Sequence, residues 1–334
     1  MIPVLTEKRI IRLNPKNRNY EKNRELKSNI NMKKINRTTL FLLLTLSTSY
    51  LLAGLFRLFG GEYDQTGGTV IAVVYMFIPM ASALVVEKFI HKEKIKTSLM
   101  ISFRINRWFF VAWLITPVMG LGAFGIGLLF PDVTYSPEMK GMFDRFEEVL
   151  TPEKLEQMRR SMDTFPIHPF WLTLIQGLIA GITVNAVAGF GEELGWRGFM
   201  VKEMKNRSFL SASLLIGLVW GVWHAPLILM GHNYPQHPNW GVLMMILWCI
   251  LLSPLFLYIT IKARSVIAAA IMHGTLNATA GLAIMLIEGG NDLTVGLTGL
   301  AGFISILLVL AGIFIFDHFI SKEKIMSKQI SDSM

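Results

Sequence analysis

Residues 241–261 read GVLMMILWCILLSPLFLYITI and contain no charged side chain. An α-helix needs about 20 apolar residues to cross the hydrocarbon core of a bilayer, which is about 30 Å thick. Seven further segments of comparable length and character lie before and after this one. They are 39–58, 69–86, 108–130, 170–195, 209–230, 265–287 and 297–316. The pattern predicts an all-α, polytopic membrane bundle of eight transmembrane helices over residues 38–320.

The composition excludes an ordinary soluble enzyme. Of the 334 residues, 52% are hydrophobic and only 16% are charged, whereas a typical soluble domain has about 25% charged residues. The net charge of +9 is concentrated in residues 1–37, which hold 11 of the 32 Lys and Arg residues. A basic tail before an apolar body, without a nucleic-acid-binding motif, indicates a lipid-facing or orienting role and no nucleic-acid partner.

The distribution of basic residues predicts the orientation of the bundle. With the N-terminus inside, five segments should be cytoplasmic, and they contain 26 of the 32 Lys and Arg residues. These segments are 1–37, 87–107, 197–207, 262–264 and 317–334. Cytoplasmic loops of membrane proteins are enriched in Lys and Arg, so we expect both termini, including the tail 321–334, to be cytoplasmic.

The long segment 131–168 is then an outer loop. Its spacing of apolar residues predicts an amphipathic helix, with a second short helix opened by Pro152. The apolar residues of the first helix are Met142, Phe146, Val149 and Leu150.

Two interpretations of the N-terminus stay open. Met32, followed by Lys33 and Lys34, would be a natural initiator before the first membrane helix. The preceding residues are then either an over-extended gene model or a disordered cytoplasmic arm. Cys249 is the single cysteine, so an intrachain disulfide and a cysteine-based metal site are both excluded.

Ionisable and strongly polar side chains inside the spans are clustered. Such groups cost about 2.5–3.5 kcal/mol each in a membrane helix, so they indicate function. Apart from Arg57, which can snorkel to the interface at the outer end of the first span, they are Glu192, Glu193 and Arg197 at the end of the fourth span, His224 in the fifth, and His273 with Asn277 in the seventh.

A hairpin at Ser208 brings these groups to one depth. Glu192 lies 16 residues before Ser208 and His224 lies 16 residues after it, so the two side chains should meet. Glu193 and Arg197 have the i,i+4 spacing of an ion pair, which would leave Glu192 as an unpaired carboxylate able to act as a general base. Pro226 should free a backbone carbonyl near the site.

Small residues accompany the polar cluster. Membrane helices pack closely through glycine, and close packing is our preferred interpretation of these positions. The glycines are Gly189, Gly191, Gly195 and Gly198 in the fourth span and Gly217 and Gly221 in the fifth.

Three motifs over residues 165–290 resemble the CPBP, or Abi, family of intramembrane proteases, which includes the type II CAAX prenyl endopeptidases. Glu192–Arg197 matches the EExxxR motif and His273–Asn277 matches HxxxN. His224 matches the histidine of FxxxH, although here the aromatic residue is Trp220. The resemblance implies that Glu192 and His224 activate a water molecule, and that His273 and Asn277 stabilise the oxyanion.

The resemblance also raises the question of a metal. Glu192, His224 and His273 would form a His₂Glu set suited to catalytic Zn²⁺. If Glu192 were a ligand, however, the obvious base would be consumed. We therefore favour a cofactor-free glutamate mechanism and keep Zn²⁺ as the alternative.

The leading hypothesis is an intramembrane endopeptidase of a bacterial cell membrane that cleaves a membrane-associated protein or peptide. CAAX-type processing and the maturation of bacteriocins or peptides, with self-immunity, are both open as substrate classes. The alternatives are a proton-coupled transporter and a non-enzymatic bacteriocin-immunity protein.

Overall fold

A computed structural model describes residues 36–63, 66–147, 151–163 and 166–333. In chain order its helices and strands are α1 (Arg37–Leu58), α2 (Thr66–Leu84), α3 (Ile95–Ser98), α4 (Arg107–Gly127), β1 (Val133–Tyr135), α5 (Lys140–Glu147), α6 (Pro152–Asp163), α7 (Pro169–Ile182), α8 (Val184–Glu193), α9 (Val201–Glu203), α10 (Phe209–Leu229), α11 (Pro238–Ala263), α12 (Val266–Thr279), α13 (Leu282–Met285), β2 (Ile287–Gly289) and α14 (Leu300–Ile315). Three π-helical segments, Val85–Ile90, Leu194–Met200 and Phe316–Ile320, and two 3₁₀ turns, Ile325–Ser327 and Ile330–Asp332, complete the described chain.

The all-α membrane bundle is confirmed. Within the described residues, seven helices are long and apolar enough to cross a bilayer, and the bent pair α7–α8 supplies an eighth span. The chain is therefore an integral, multi-pass membrane protein. Residues 1–35, which form most of the basic tail, lie outside the described residues.

The fourth span differs from the continuous helix expected over 170–195. It bends by 51° between Pro169–Ile182 and Val184–Glu203. Thr183 at the bend has φ −120° and ψ −106°, outside the helical region, and its hydroxyl donates to the Ile179 carbonyl oxygen at 2.8 Å. Such back-bonding by threonine bends helices. The helix then continues beyond residue 195, so Arg197 lies in the bundle and does not belong to a cytoplasmic loop.

The predicted cytoplasmic segments meet at one end of the bundle, which we call the basic end (residues 91–106, 204–208, 264–265 and 321–333). The Val266 amide donates to the Met100 carbonyl oxygen at 3.0 Å, and the Phe209 amide donates to that of Lys328 at 2.9 Å. Lys202 pairs with the buried Glu87 at 2.5 Å.

The predicted outer loops meet at the opposite end, which we call the loop end (the described residues of 59–66, 128–168, 230–237 and 286–299). Strands β1 and β2 pair antiparallel, with Val133 opposite Gly289. The Tyr234 hydroxyl donates to the Thr298 carbonyl oxygen at 2.8 Å. The sequence therefore sorted the loops correctly into two sets.

The outer loop contains the two expected helices, α5 and α6, and α6 begins at Pro152. Met142 and Phe143 of α5 are buried against Phe170 and Leu282, which attaches the loop to the bundle. Val149, Leu150 and the side chain of Phe146 lie outside the described residues.

Glycines allow α10 and α11 to pack closely. A Cβ atom at Gly221 would lie 2.5 Å from the Ile246 Cα atom, and one at Gly217 would lie 2.7 Å from the Cys249 carbonyl oxygen. Neither contact is sterically acceptable, because the obstacle is backbone.

We expect Gly221→Ala to lower the thermal unfolding temperature in detergent, because the new methyl group must push the two helices apart. Overpacking of this kind costs about 1–3 kcal/mol. Gly54→Ala in α1 is the matched control, since a Cβ atom there meets nothing within 4 Å. Equal melting temperatures for the two variants would contradict close packing at Gly221.

Candidate active site

A cavity of about 260 Å³, the central cavity, lies between α2, α8, α10, α11 and α12. All four residues predicted to act in catalysis line it: Glu192, His224, His273 and Asn277. The first three are buried, with 2%, 9% and 3% of their surfaces exposed. The hairpin argument from the sequence thus placed these groups at the right depth, although it does not test their roles.

Glu192 is held by a tryptophan. Its Oε2 atom accepts a hydrogen bond from the Trp220 indole nitrogen at 2.8 Å, and its Oε1 atom lies 3.6 Å from His273 Nε2. The sequence predicted that the Glu192 carboxylate would be unpaired, and the structure shows that it has a partner. Trp220 keeps one oxygen occupied, while the other faces His273.

Glu193 has two partners. Its Oε1 atom accepts from Arg197 Nη1 at 3.0 Å, which confirms the predicted ion pair, and it lies 2.8 Å from His273 Nδ1. Both members of the ion pair are completely buried. The contact with His273 was not foreseen, and it places the imidazole between two neighbouring carboxylates.

The Arg197 guanidinium lies between two aromatic rings. Its Cζ atom is 4.3 Å from the centre of the Trp220 ring and 4.4 Å from that of Phe256. A cation over an aromatic face is stabilised when desolvated, so these rings help to compensate for burying the charge. Trp220 therefore contacts both the Glu192 carboxylate and the Arg197 cation.

His224 is connected to Glu192 indirectly. Its Nδ1 atom lies 2.7 Å from the Trp220 carbonyl oxygen, which requires the proton on Nδ1 and leaves Nε2 able to accept. The described residues contain no hydrogen bond or ion pair between His224 and Glu192, although the sequence expected their side chains to meet. The link runs through Trp220.

Pro226 releases the backbone acceptor that the sequence predicted. Proline has no amide hydrogen, so it cannot bond the carbonyl four residues earlier. That carbonyl belongs to Val222, and it accepts from the Tyr50 hydroxyl at 2.6 Å.

Glycines bring α8 and α12 together at the site. A Cβ atom at Gly189 would lie 2.9 Å from the Ala270 carbonyl oxygen and 3.0 Å from the His273 Cβ atom, and one at Gly274 would lie 2.5 Å from the Ala186 nitrogen. This close approach lets the carboxylates of α8 reach the imidazole on α12. Asn277, one helical turn beyond His273, is exposed.

A histidine of the loop end lines the central cavity and is hydrogen-bonded to a tyrosine. His232 lines the cavity, and its Nδ1 atom is hydrogen-bonded to the Tyr63 hydroxyl at 2.8 Å. Burial lowers the pKa of His232 to about 4 and raises the pKa of Tyr63 to about 12, so both are neutral at pH 7. The sequence had favoured a solvated His232. No local signal linked it to Tyr63, which is 169 residues away.

The side chains as arranged do not form a metal site. Among the described residues, no three His, Cys, Asp or Glu side chains are placed so that they could hold a metal ion. Each histidine does offer its second nitrogen to an oxygen atom, as metal-binding histidines commonly do. The set Glu192, His224 and His273 would have to rearrange to bind Zn²⁺.

Comparison with known proteins agrees with this site. The model of the family described as type II CAAX prenyl endopeptidase Rce1-like matches residues 169–279, a range that contains every residue of the polar cluster. This region of the chain is therefore similar to that family. The CPBP resemblance of the three motifs is thereby confirmed.

A curated relative gives a similar result. CAAX prenyl protease 2 of Methanococcus maripaludis is 30% identical over 140 residues, which are 40% of this chain and 48% of the relative. The chain thus spans about half the length of this relative.

We expect Glu193→Gln to destabilise the bundle strongly. Removing one partner of a buried ion pair leaves an uncompensated charge, at a cost of about 3–5 kcal/mol. Glu156→Gln is the matched control, because Glu156 and Arg160 form an i,i+4 pair that is exposed and worth at most about 1 kcal/mol. Thermal unfolding in detergent compares the two, and a Glu193→Gln variant as stable as Glu156→Gln would be the contrary result.

Proposed function

We propose that this protein is an intramembrane endopeptidase that hydrolyses a peptide bond with water activated by Glu192. The observation that carries the proposal is that Glu192, His224, His273 and Asn277 all line the central cavity. The Rce1-like match over the same residues supports a peptidase. The substrate is a membrane-associated protein or peptide.

In the proposed reaction Glu192 removes a proton from water while the water oxygen attacks the scissile carbonyl carbon. A general base must lie within hydrogen-bond reach of the water. Because Oε2 is occupied by Trp220, Oε1 is the atom for this role. The C–N bond then breaks, and the proton held by Glu192 passes to the leaving amine.

His224 positions the water in this proposal. Its Nδ1 atom is engaged by the Trp220 carbonyl oxygen, which leaves Nε2 as an acceptor for a second hydrogen atom of the water. Trp220 is hydrogen-bonded to both Glu192 and His224, so one residue fixes the positions of the two groups that accept from the water.

His273 and Asn277 stabilise the developing oxyanion. Donors aimed at the transition-state charge are worth about 2.7–4 kcal/mol each. With Glu193 accepting from Nδ1, a doubly protonated His273 would present Nε2–H to the cavity. Asn277, one turn further along α12, would present its amide group.

We propose a metal-independent reaction, because Glu192 serves as the base and the three candidate ligands are not arranged around one point. Elemental analysis of active protein, together with chelator treatment, tests this. Stoichiometric zinc whose removal and return abolish and restore cleavage would contradict it.

Glu192→Gln and His224→Ala should abolish cleavage of a panel of membrane-tethered peptides by the purified protein. Loss of a general base reduces the rate by about 10²–10⁴-fold. Glu192→Gln should fold normally, since a glutamine oxygen can still accept from Trp220. Wild-type rates in both variants would refute the catalytic assignment. Proton flux in liposomes that depends on Glu192, without proteolysis, would favour a transporter.

Trp220→Phe should fold but cleave more slowly. Phenylalanine is the residue of the family pattern, yet it cannot donate to Glu192. Loss of one hydrogen bond to a buried charged group costs about 1.5–3 kcal/mol, and each 1.36 kcal/mol on the barrier is tenfold in rate. We expect kcat to fall by about 10- to 100-fold with little change in KM.

Trp113→Phe is the control for that substitution. Trp113 also donates its indole N–H, to the Leu178 carbonyl oxygen at 2.9 Å, but it does not line the central cavity. Its activity should match the wild type. A Trp220→Phe enzyme as fast as Trp113→Phe would show that the indole does not position Glu192.

A further inference from the structure

A second, larger cavity adjoins the central cavity. This outer chamber has a volume of about 540 Å³. The two cavities share three lining residues, Asn233, Ala280 and Thr298. The two cavities therefore meet at these residues, and the cavity next to the outer chamber contains the Glu192 carboxylate.

The outer chamber belongs to the loop end. Its walls come from the residues after α10, from the end of α12 through α13, and from the loop before α14. Two hydrogen bonds join its opposite walls. The Gln236 amide donates to Asp292 Oδ2 at 2.8 Å, and the Tyr234 hydroxyl donates to the Thr298 carbonyl oxygen at 2.8 Å.

The chamber wall suits an extended peptide. It carries the polar, uncharged side chains Asn233, Gln236 and Asn291. Its charged groups are engaged elsewhere, since Asp292 is bonded to His237 at 2.6 Å and Arg145 donates to three backbone carbonyl oxygens. Neutral polar groups can bond a peptide backbone without selecting a charged side chain.

The side of Glu192 towards the basic end is packed. Every residue of 194–201 is buried. A cavity at the basic end, lined by Lys262, Arg264 and Lys328 among others, shares no residue with the central cavity or the outer chamber.

The depth of the site in the bundle also places it nearer to the loop end than to the basic end. His224 lies five residues before the end of α10 at Leu229 and 15 residues after its start at Phe209. At 1.5 Å per residue, it is about 8 Å from the loop end of that helix and about 22 Å from the basic end.

Basic charge identifies which end is cytoplasmic. Lys and Arg are concentrated in the segments that form the basic end, and such enrichment marks the cytoplasmic side. We propose that the site opens to the outer face of the membrane. Its substrate is then a juxtamembrane segment exposed on that face, presented in extended form. This inference rests on the proposed endopeptidase function, and it disfavours a cytoplasmic C-terminal tail as substrate.

Thiol accessibility tests the direction of opening without requiring activity. Thr298→Cys reports on the junction of the two cavities, and Ser327→Cys, at an exposed position, reports on the basic end. The wild type is the background, because its single Cys249 is completely buried. Each full-length protein is treated in intact bacterial cells and in inverted vesicles with a membrane-impermeant maleimide.

We expect Thr298→Cys to be modified in intact cells and Ser327→Cys only in inverted vesicles. The reverse pattern overturns the inference. Modification of Thr298→Cys from neither side also overturns it, because the junction would then be closed to water.

Substrate orientation supplies the second test. Two single-span reporters carry the same cleavable segment, taken from the tethered-peptide panel, on the outer or on the cytoplasmic side. We expect the outer reporter to be cleaved at least about tenfold faster than the cytoplasmic reporter. A tenfold ratio corresponds to a difference of about 1.4 kcal/mol in activation free energy. Maleimide should block this cleavage in Thr298→Cys but not in Ser327→Cys.

The outcomes separate the two proposals. Faster cleavage of the cytoplasmic reporter would overturn the outer-face inference and leave the endopeptidase intact. If the protein cleaves no member of the peptide panel and neither reporter, while Thr298→Cys is still labelled from outside, the failure lies with the proposed function.

Discussion

The Oε1 atom of Glu193 contacts both Arg197 and His273, and the rest of the site is arranged around these two contacts. A bilayer offers no water to solvate a charge, so a buried carboxylate must find its partners inside the bundle. Arg197 supplies the opposite charge, and two aromatic rings cover its guanidinium. The same carboxylate orients His273, which faces Glu192 with its other nitrogen.

Close helix packing is the condition for this arrangement. Two carboxylates on α8 can reach one imidazole on α12 only because glycines remove the side chains that would keep the helices apart. In a membrane, packing through small residues replaces the hydrophobic effect as a driving force for helix association. The glycines near the motif thus determine where the polar groups lie. Their presence is explained by helix packing, without a contact to a substrate.

Trp220 connects parts of the site that the motifs treat separately. Its indole donates to Glu192, its carbonyl oxygen binds His224, and its ring covers Arg197. The FxxxH pattern has phenylalanine at this position, and its ring could also cover the guanidinium. Phenylalanine has no donor, however, so it could not make the hydrogen bond that Trp220 makes to Glu192. What looked like a minor departure from the family pattern therefore changes how the carboxylate is held.

The sequence alone determined the class of fold, the two sets of loops and the membership of the polar cluster. These follow from hydropathy, from the Lys and Arg distribution and from the cost of polar groups in lipid, all of which are local properties of the chain. The Glu193–Arg197 pair was also predictable, because helical spacing places the two residues on one face.

Only the tertiary structure decided which atoms meet. The Trp220 bond to Glu192, the second partner of Glu193 and the contact of His232 with Tyr63 join residues on different helices or loops. The bend at Thr183 and the junction between the two cavities likewise depend on how whole helices pack. Spacing along one helix fixes a face and a depth, but distances of 3 Å between helices depend on crossing angles and glycine contacts that no single segment encodes.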